Sequence, residues 1–341
     1  NYSFNDLFEV AYSFIKEGEP HEKIIGDFLM DWINPKEEIV LKTSGSTGIP
    51  KRMRYAKQAL VNSALATGDH FGVKIGDRAL HCLSADFIAG KMMLVRAMIL
   101  GLELDIVPPN GNVLEGNTTV YDFAAMVPMQ AVHAMNQINQ VKTLLIGGAV
   151  PSTTLLHQLQ SKKTNSFVTY GMTETLTHIA SRSIKSNDAV YTVLPGVHIT
   201  QDDRQCLIIK VPYLTDADVV TNDVVTLASD VSFELLGRVD HVINSGGVKI
   251  FPETVEQKIG SFIQPPFFIT SIADEQLGQQ VVLVLEQQKE TQNLLNLLKE
   301  KKILSPYELP KKVFCLDAFE YTENGKLKRE ATTAKLVAHP Y

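Results

Sequence analysis

Residues 236–256 read LGRVDHVINSGGVKIFPETVE, and the character of the chain changes within them. Before this stretch, apolar helical segments alternate with short β-like runs such as KTLLIGG (142–148) and SFVTYG (166–171), which is typical of βα units on a largely parallel sheet. After it, short helices and strands alternate in a segment whose length suits a separate domain. The sequence therefore predicts a large α/β N-terminal domain with mixed sheets, residues 1–238, and a small α+β C-terminal domain, residues 239–341.

Composition and charge narrow the class of protein. A chain of 341 residues with 45% hydrophobic residues can form two globular domains, and a net charge of −6 without a Lys/Arg-rich stretch argues against a nucleic-acid partner. The longest apolar stretch, MMLVRAMILGL (92–102), is too short to span a bilayer, and the first residues lack the basic start and apolar block of a signal peptide. We expect a cytoplasmic protein without a membrane span, and the sequence leaves its oligomeric state open.

Three cysteines are scattered along the chain. Cys82, Cys206 and Cys315 have neither paired nor metal-ligand spacing. We therefore expect no disulfide framework and no zinc site, and we interpret all three as small core residues.

A loop of small hydroxylated residues, SGSTGIPK (44–51), is the first candidate for a binding site. Its glycines let backbone amides approach an anion, its hydroxyls add donors, and Lys51 adds a positive charge. The spacing differs from that of the common P-loop, because Pro50 precedes the lysine and Arg52 follows it. A surface turn is the alternative, since short Ser/Gly runs usually form one.

Three more motifs follow in order: YGMTET (170–175), the stretch at 236–256, and TENGKLKRE (322–330). In order and spacing the four motifs resemble those of the adenylate-forming superfamily, which comprises acyl-CoA synthetases, luciferases and peptide-synthetase adenylation domains. The resemblance covers residues 41–329. It implies an enzyme that adenylates a carboxylic acid with ATP and releases pyrophosphate; many members of the family then pass the acyl group to a thiol. The short segment before the first motif implies the family fold with a shortened N-terminal region.

The resemblance assigns most candidate residues to the nucleotide. The β- and γ-phosphates would be held by Ser44, Gly45, Ser46, Thr47, Gly48 and Lys51, the α-phosphate by Thr173, Mg²⁺ by Glu174, adenine by Tyr170 and Gly171 with Gly147, Gly148 and Ala149, and the ribose by Asp223 and Arg238. Asn222 stands where the family has glycine. Two alternatives remain: Gly-Gly after a strand often forms only a turn, and an Asp such as Asp223 often caps one.

The same resemblance implies a catalytic lysine, Lys326, in the C-terminal domain. It follows Asn-Gly, a hairpin signal, so it is expected to project from a tight turn, where a cation could stabilise charge as pyrophosphate leaves. A solvated surface lysine is the alternative. Asp240 matches the family hinge about which the small domain rotates, and Gly246 and Gly247 would leave room for the pantetheine arm of CoA. Asn244 replaces the family lysine, and no role is assigned to it.

Within the superfamily, NSGGVKIFPETVE, LLIGGAVP and AGKMMLVRAMILG resemble the 2-succinylbenzoate–CoA ligases of menaquinone biosynthesis. This implies ATP, Mg²⁺ and CoA as cofactor and co-substrates, and a dicarboxylic acid as substrate. Lys91 and Arg96 lie in an otherwise apolar helix, where a charge needs a partner, so we expect one of them to pair with the second carboxylate of the acid. A structural ion pair with Asp86 or Glu103 is the alternative.

Phe87 and His178 are further candidates for the acyl site, whereas His81 and His133 are expected to be structural. No histidine base is required, because the substrate carboxylate is ionised at neutral pH. Three other functions remain possible: an aryl- or medium-chain acyl-CoA ligase, an adenylation module that loads a carrier-protein thiol, and a non-enzymatic nucleotide-binding protein.

Overall fold

The chain folds into two compact units. The computed structural model describes residues 4–42, 52–186, 188–215, 217–287, 292–321 and 327–338. The first unit consists of Asn1–Thr200, Ile208–Val219 and Ala228–Phe233, and the second of Gln201–Leu207, Val220–Leu227 and Glu234–Tyr341. The domain boundary at residues 238 and 239 remains a prediction.

The first unit contains a helical pair, a two-stranded hairpin and a larger sheet with its helices. The elements are α1 Phe4–Glu17, α2 Pro20–Ile33, β1 Glu38–Lys42, β2 Arg52–Ala56, α3 Lys57–Phe71, β3 Arg78–His81, α4 Ile88–Leu100, β4 Glu103–Ile106, β5 Tyr121–Met126, α5 Pro128–His133, β6 Val141–Ile146, α6 Thr153–Gln160, β7 Asn165–Gly171, β8 His178–Ser183 and β9 Val190–Val193. In the larger sheet the order is β9-β8-β7-β6-β5-β3-β4. The pairings among β3 to β7 are parallel, and β8 is antiparallel to both β7 and β9. This confirms the predicted mixed α/β sheet.

Four strands follow, β10 His198–Gln201, β11 Cys206–Lys210, β12 Val219–Ser229 and β13 Ser232–Arg238. The rest of the second unit has β14 Ile243–Ser245, β15 Val248–Ile250, α7 Pro252–Ile259, β16 Phe267–Asp274, β17 Gly278–Glu286, α8 Gln292–Lys301, β18 Lys312–Leu316 and α9 Arg329–Ala338. Here the strand order is β15-β14-β17-β16, and β18 pairs in parallel with β17. The predicted small α+β fold is confirmed.

Two of the three cysteines are core residues, as predicted. Cys82 and Cys206 are buried, but Cys315 is exposed, so the expectation was wrong for this residue. Cys315 lies on β18, whose Val313 and Phe314 pack against apolar clusters of the second unit while Cys315 does not. Among the helices that the structure describes, none has the length and apolar character needed to cross a bilayer.

Helix α4 places the candidate acid-binding residues inside the first unit. It is apolar on nearly all sides and buries Met92, Met93, Leu94, Val95 and Ala97, as expected of a helix surrounded by protein. On one side it packs against the core formed with α2, α3 and the β1–β2 hairpin. The burial of α4 therefore removes Arg96 from water as well.

Close packing of α4 depends on Gly90. A Cβ atom at this position would lie 2.2 Å from the Ser84 carbonyl oxygen, a contact that the backbone cannot relieve without moving. In α3, a Cβ atom at Gly68 would meet only the tip of the Leu100 side chain, at 2.7 Å. An added side chain would therefore meet rigid backbone at Gly90 but only a flexible side chain at Gly68.

We expect Gly90→Ala to lower the free energy of unfolding by about 1–3 kcal/mol, because the steric clash outweighs the gain in helix propensity. Gly68→Ala is the matched control and should change it by less than about 1 kcal/mol, since Leu100 can rotate away. Urea unfolding of the two variants measures the difference. Equal effects of the two substitutions would contradict this account of α4 packing.

Candidate active site

The carboxyl ends of neighbouring parallel strands bring two predicted adenine-binding segments to one edge of the sheet. Residues 147–149 follow β6, and Met172 follows β7, its parallel neighbour. This edge is where ligands bind in open α/β sheets. Gly148 has φ +82°, which favours glycine by conformation. A Cβ atom at Gly147 would lie 2.5 Å from Thr169 Oγ1, which favours glycine for steric reasons.

Tyr170 is held in an aromatic cluster at the end of β7. Its side chain is 9% exposed, and its ring meets those of Tyr191 and Phe233 edge-on at centroid distances of 6.0 and 5.3 Å. The cluster fixes the position of the ring. Stacking of Tyr170 on adenine remains a prediction.

The chain makes an abrupt turn between β7 and β8. Leu176 has φ 63° and ψ −54°, and the Thr177 N–H donates to the Thr175 carbonyl at 2.7 Å, which together define a γ-turn. A Cβ atom at Gly171 would lie 2.2 Å from the Thr177 carbonyl oxygen, so glycine is required opposite this turn. Strained backbone of this kind is found mainly at functional sites.

Thr173 and Glu174 lie in a short 3₁₀ helix before the turn. The Tyr55 hydroxyl donates a hydrogen bond of 2.8 Å to the Thr173 carbonyl. Burial, with a further effect of the Glu174 charge, raises the pKa of Tyr55 to about 12, so this donor stays protonated. Glu174 itself is exposed. In the part of the chain that the structure describes, no group of three or more His, Cys, Asp or Glu residues could hold a metal ion.

Among the described residues of the first unit, Arg96 is the most deeply buried charge. Its side chain is 2% exposed, and its guanidinium has no carboxylate within ion-pair distance among the described residues. Nη2 donates to Thr177 Oγ1 at 3.3 Å and to His178 Nδ1 at 3.5 Å, while Nε is buried without a partner among the described residues. Burial lowers the pKa of Arg96 to about 10, which leaves the guanidinium charged at neutral pH.

This geometry bears on the alternative that Arg96 forms a structural ion pair. The structure shows no ion pair with Asp86 or Glu103, and Asp86 Oδ2 instead accepts a hydrogen bond from Ser84. Phe87 precedes α4 and is 46% exposed, and Lys91 lies one helical turn later and is half-buried. Within the described part of the chain, Arg96 thus has donors without partners, and it lies on the helix in which the sequence predicts the acid-binding residues.

The other histidines differ in their surroundings. His81 is 1% exposed and its ring nitrogens lack partners among the described residues; burial first, and the charge of His21 second, lower its pKa to about 4. His133 is exposed. Neither residue contacts the candidate residues named above in any described hydrogen bond, and their structural roles stay predictions.

In the second unit, Arg238 connects the predicted ribose and hinge residues. Its guanidinium lies 2.7 Å from Asp240 and 3.6 Å from Asp223. The hydrogen bond from Arg238 lowers the pKa of Asp240. Asn222, which replaces the family glycine, donates from Nδ2 to Asp240 at 3.3 Å and accepts from Arg204 at 3.1 Å. The departure from the family pattern therefore adds a contact to the predicted hinge.

The two glycines of NSGG form a tight hairpin turn. Gly246 and Gly247 have φ +58° and +82° and connect β14 to β15, as two-residue turns of type I′ require. Both are exposed, as is Asn244. The role of the glycines toward CoA remains a prediction.

Two sets of predicted residues lie outside the described part of the chain: the phosphate loop Ser44, Gly45, Ser46, Thr47, Gly48 and Lys51, and the catalytic candidate Lys326. Their roles stay predictions.

Sequence reasoning missed the residues that support the site. Tyr55, Thr67 and Thr177 hold site residues by hydrogen bonds, and no local pattern singles them out because their partners are distant in sequence. It also missed the ion pair of Arg329 with Glu256, which joins the last quoted motif to α7 by two hydrogen bonds of 2.7 and 2.6 Å. The available signal was the presence of opposite charges in two of the quoted motifs, Glu256 in 236–256 and Arg329 in 322–330.

Comparison with known proteins identifies the family. Residues 39–205 match the model of the AMP-binding enzyme family. An acyl-CoA synthetase (AMP-forming)/AMP-acid ligase II-like protein of Dyadobacter fermentans is 35% identical, with 96% of this chain and 98% of that chain covered and a TM-score of 0.65. The 2-succinylbenzoate–CoA ligase of Escherichia coli is 25% identical over 85% of this chain and 67% of its own length.

A solved structure shares the fold at lower identity. The O-succinylbenzoate coenzyme A synthetase of Bacillus subtilis, in complex with ATP and magnesium, superposes with a TM-score of 0.72 at 22% identity, covering 86% of this chain and 69% of that one. The predicted fold and resemblance are thereby confirmed. The chain belongs to the adenylate-forming family of AMP-binding enzymes and is an enzyme of the AMP-forming acid–CoA ligase type.

Proposed function

We propose that this enzyme activates 2-succinylbenzoate with ATP to an acyl-adenylate and then transfers the acyl group to CoA, as a step of menaquinone biosynthesis. The names of several relatives support the choice of acid. The observation that argues for it most strongly is Arg96, a buried cation without a carboxylate among the described residues. A second carboxylate on the substrate would provide the missing charge.

Arg96 suits the recognition of a carboxylate. A guanidinium has five N–H donors in a planar arrangement, and the described partners occupy only Nη2. A buried charge without a counterion is costly, so an incoming anion gains more here than at the surface. Lys91 lies closer to the start of the same helix and is only half-buried. We therefore assign the second carboxylate to Arg96 rather than to Lys91.

The nucleotide would bind at the edge of the sheet after β6 and β7. Thr173 would contact the α-phosphate, and Glu174, an exposed carboxylate beside it, has the oxygen donors that Mg²⁺ prefers together with phosphate oxygens. Bound Mg²⁺ would neutralise phosphate charge. The hydrogen bond from Tyr55 holds the Thr173 backbone in place before ATP arrives.

The ribose would be bound by Asp223 and Arg238. Arg238 pairs with Asp223 and Asp240, which orients the Asp223 carboxylate and the Arg238 guanidinium. Asp240 would serve as the hinge between the half-reactions, with residues 239–341 as the moving domain. Lys326 would stabilise the charge that develops as pyrophosphate leaves, and the hairpin of Gly246 and Gly247 would face the pantetheine arm.

Two alternatives within the family differ only in substrate or acceptor. An aryl- or medium-chain acyl-CoA ligase would not require a buried cation such as Arg96 in the acid site. A module that loads a carrier-protein thiol would require that carrier protein, rather than CoA, for sustained turnover. A non-enzymatic nucleotide-binding protein would release no pyrophosphate with any acid.

The first test is pyrophosphate release with ATP, Mg²⁺ and 2-succinylbenzoate, with and without CoA. Sustained release should require CoA, and Lys326→Ala should reduce it by roughly 100-fold or more, the size of effect seen when one electrostatic contact to a transition state is removed. Lys328→Ala, which removes a nearby exposed lysine, is the matched control and should retain activity. Turnover with other acids only would reject the proposed substrate, and no release with any acid would favour a binding protein.

The second test compares Arg96→Met with Lys91→Met on two acids: 2-succinylbenzoate, and 4-oxo-4-phenylbutanoate, which lacks the ring carboxylate. Arg96→Met should raise the KM for the diacid by roughly 10- to 100-fold, the loss expected for hydrogen bonds to a charged group. The KM for the monoacid should stay nearly constant in both variants. If only Lys91→Met raised the KM for the diacid, Lys91 rather than Arg96 would bind the second carboxylate.

A further inference from the structure

His178 lies between Arg96 and a hydroxyl group of helix α3. Its Nε2 is 3.3 Å from Thr67 Oγ1, and its Nδ1 is 3.5 Å from both Arg96 Nη2 and Thr177 Oγ1. The side chain is 8% exposed. These contacts occupy both ring nitrogens and determine which one carries the proton.

The Thr67 hydroxyl fixes the tautomer of His178. This hydroxyl donates its single proton to the Ser63 carbonyl oxygen of the preceding helical turn, at 2.9 Å. Toward His178 it can therefore only accept, so the imidazole must donate from Nε2–H. In a neutral ring the proton on Nε2 leaves a lone pair on Nδ1.

That lone pair faces donors on the opposite side. An arginine guanidinium has N–H groups and no acceptor, so Arg96 Nη2 can only donate toward Nδ1. Thr177 completes the group, because its hydroxyl can accept from Arg96 and donate to His178. The contacts of Nδ1 with Arg96 Nη2 and Thr177 Oγ1 are both hydrogen bonds only if Nδ1 is unprotonated.

The surroundings keep the ring neutral. Burial, followed by the charges of Arg96 and His70, lowers the pKa of His178 well below its ordinary value. His70 lies three residues after Thr67 on α3 and bonds to Ser181 at 2.8 Å. A protonated His178 would direct a second N–H at the guanidinium.

We propose that His178 is a positioning residue for acid recognition: its neutral Nε2–H tautomer orients the Arg96 guanidinium so that the remaining N–H donors meet the second carboxylate of the substrate. The inference rests on the proposed function. A carboxylate in place of the imidazole would orient Arg96 equally well but would neutralise it. Because the imidazole is an uncharged acceptor, it holds the guanidinium while leaving its full charge for the substrate.

Two substitutions distinguish the contact that His178 Nδ1 makes with Arg96 from the contact that Nε2 makes with Thr67. The asparagine Oδ1 lies two bonds from Cβ, as Nδ1 does, so His178→Asn can retain the acceptor toward Arg96. The glutamine amide lies three bonds from Cβ, as Nε2 does, so His178→Gln can retain the contact with Thr67 but loses the acceptor. Glutamine is also closer to histidine in volume.

We expect His178→Gln to raise the KM for 2-succinylbenzoate by roughly 10-fold, and His178→Asn to stay within about 3-fold of the intact protein. The KM for 4-oxo-4-phenylbutanoate and the value of kcat should change little in either variant. A purely structural role predicts the opposite order, since asparagine leaves the larger void. Equal KM changes for both acids, or a larger effect of asparagine, would overturn the inference.

The tautomer of His178 can also be measured without substrate, which tests this inference independently of the proposed acid. Long-range ¹H–¹⁵N NMR of the free protein with ¹⁵N-labelled histidine reports the tautomer, with His178→Asn identifying the signal. We expect a neutral ring protonated at Nε2. A proton on Nδ1 would overturn the inference even if the enzyme used 2-succinylbenzoate. The Nε2–H tautomer together with no turnover of this acid would reject the proposed substrate alone.

Discussion

A buried arginine that has no carboxylate partner among the described residues is the constraint on which the account of this enzyme depends. Arg96 is 2% exposed on an apolar helix, and its described contacts are neutral groups at one nitrogen, Nη2. Removing a cation from water is costly unless a counter-charge compensates it. The protein instead places two neutral acceptors, Thr177 Oγ1 and His178 Nδ1, at Arg96 Nη2. A site of this kind favours an anionic ligand, and a dicarboxylic acid activated at its other end provides one.

The backbone around Arg96 is arranged by features that have little to do with charge. Gly90 allows α4 to approach the Ser84 carbonyl, and Gly171 allows β7 to approach the turn before β8. The strained γ-turn at Leu176 is followed directly by Thr177 and His178, both of which contact Arg96. Because Thr173 and Glu174 belong to the same segment, one short stretch of chain contains both the predicted phosphate-binding residues and the residues that contact Arg96. The proposed acid site and the predicted phosphate contacts thus share one backbone segment.

The sequence predicted the fold well because the motifs and the apolar periodicity are local. The parallel strands β6 and β7, the helix containing Arg96 and the small α+β module were all predicted from short runs of residues. Contacts between distant segments could not be predicted: the sequence offered Asp86 or Glu103 as partners of Arg96, whereas the structure shows Thr177 and His178. The prediction that Cys315 is a core residue was wrong for a related reason: the burial of a strand residue depends on which face of the strand packs against a neighbour.

The central claim is that Arg96 binds the second carboxylate of the substrate. The most direct measurement is a crystal structure of the intact chain with a non-hydrolysable analogue of the 2-succinylbenzoyl-adenylate. We predict that an oxygen of the ring carboxylate lies within about 4 Å of the Arg96 guanidinium, the limit for an ion pair, while His178 Nδ1 still faces that group. A carboxylate bound at Lys91, or directed into solvent with the Arg96 contacts unchanged, would contradict the account.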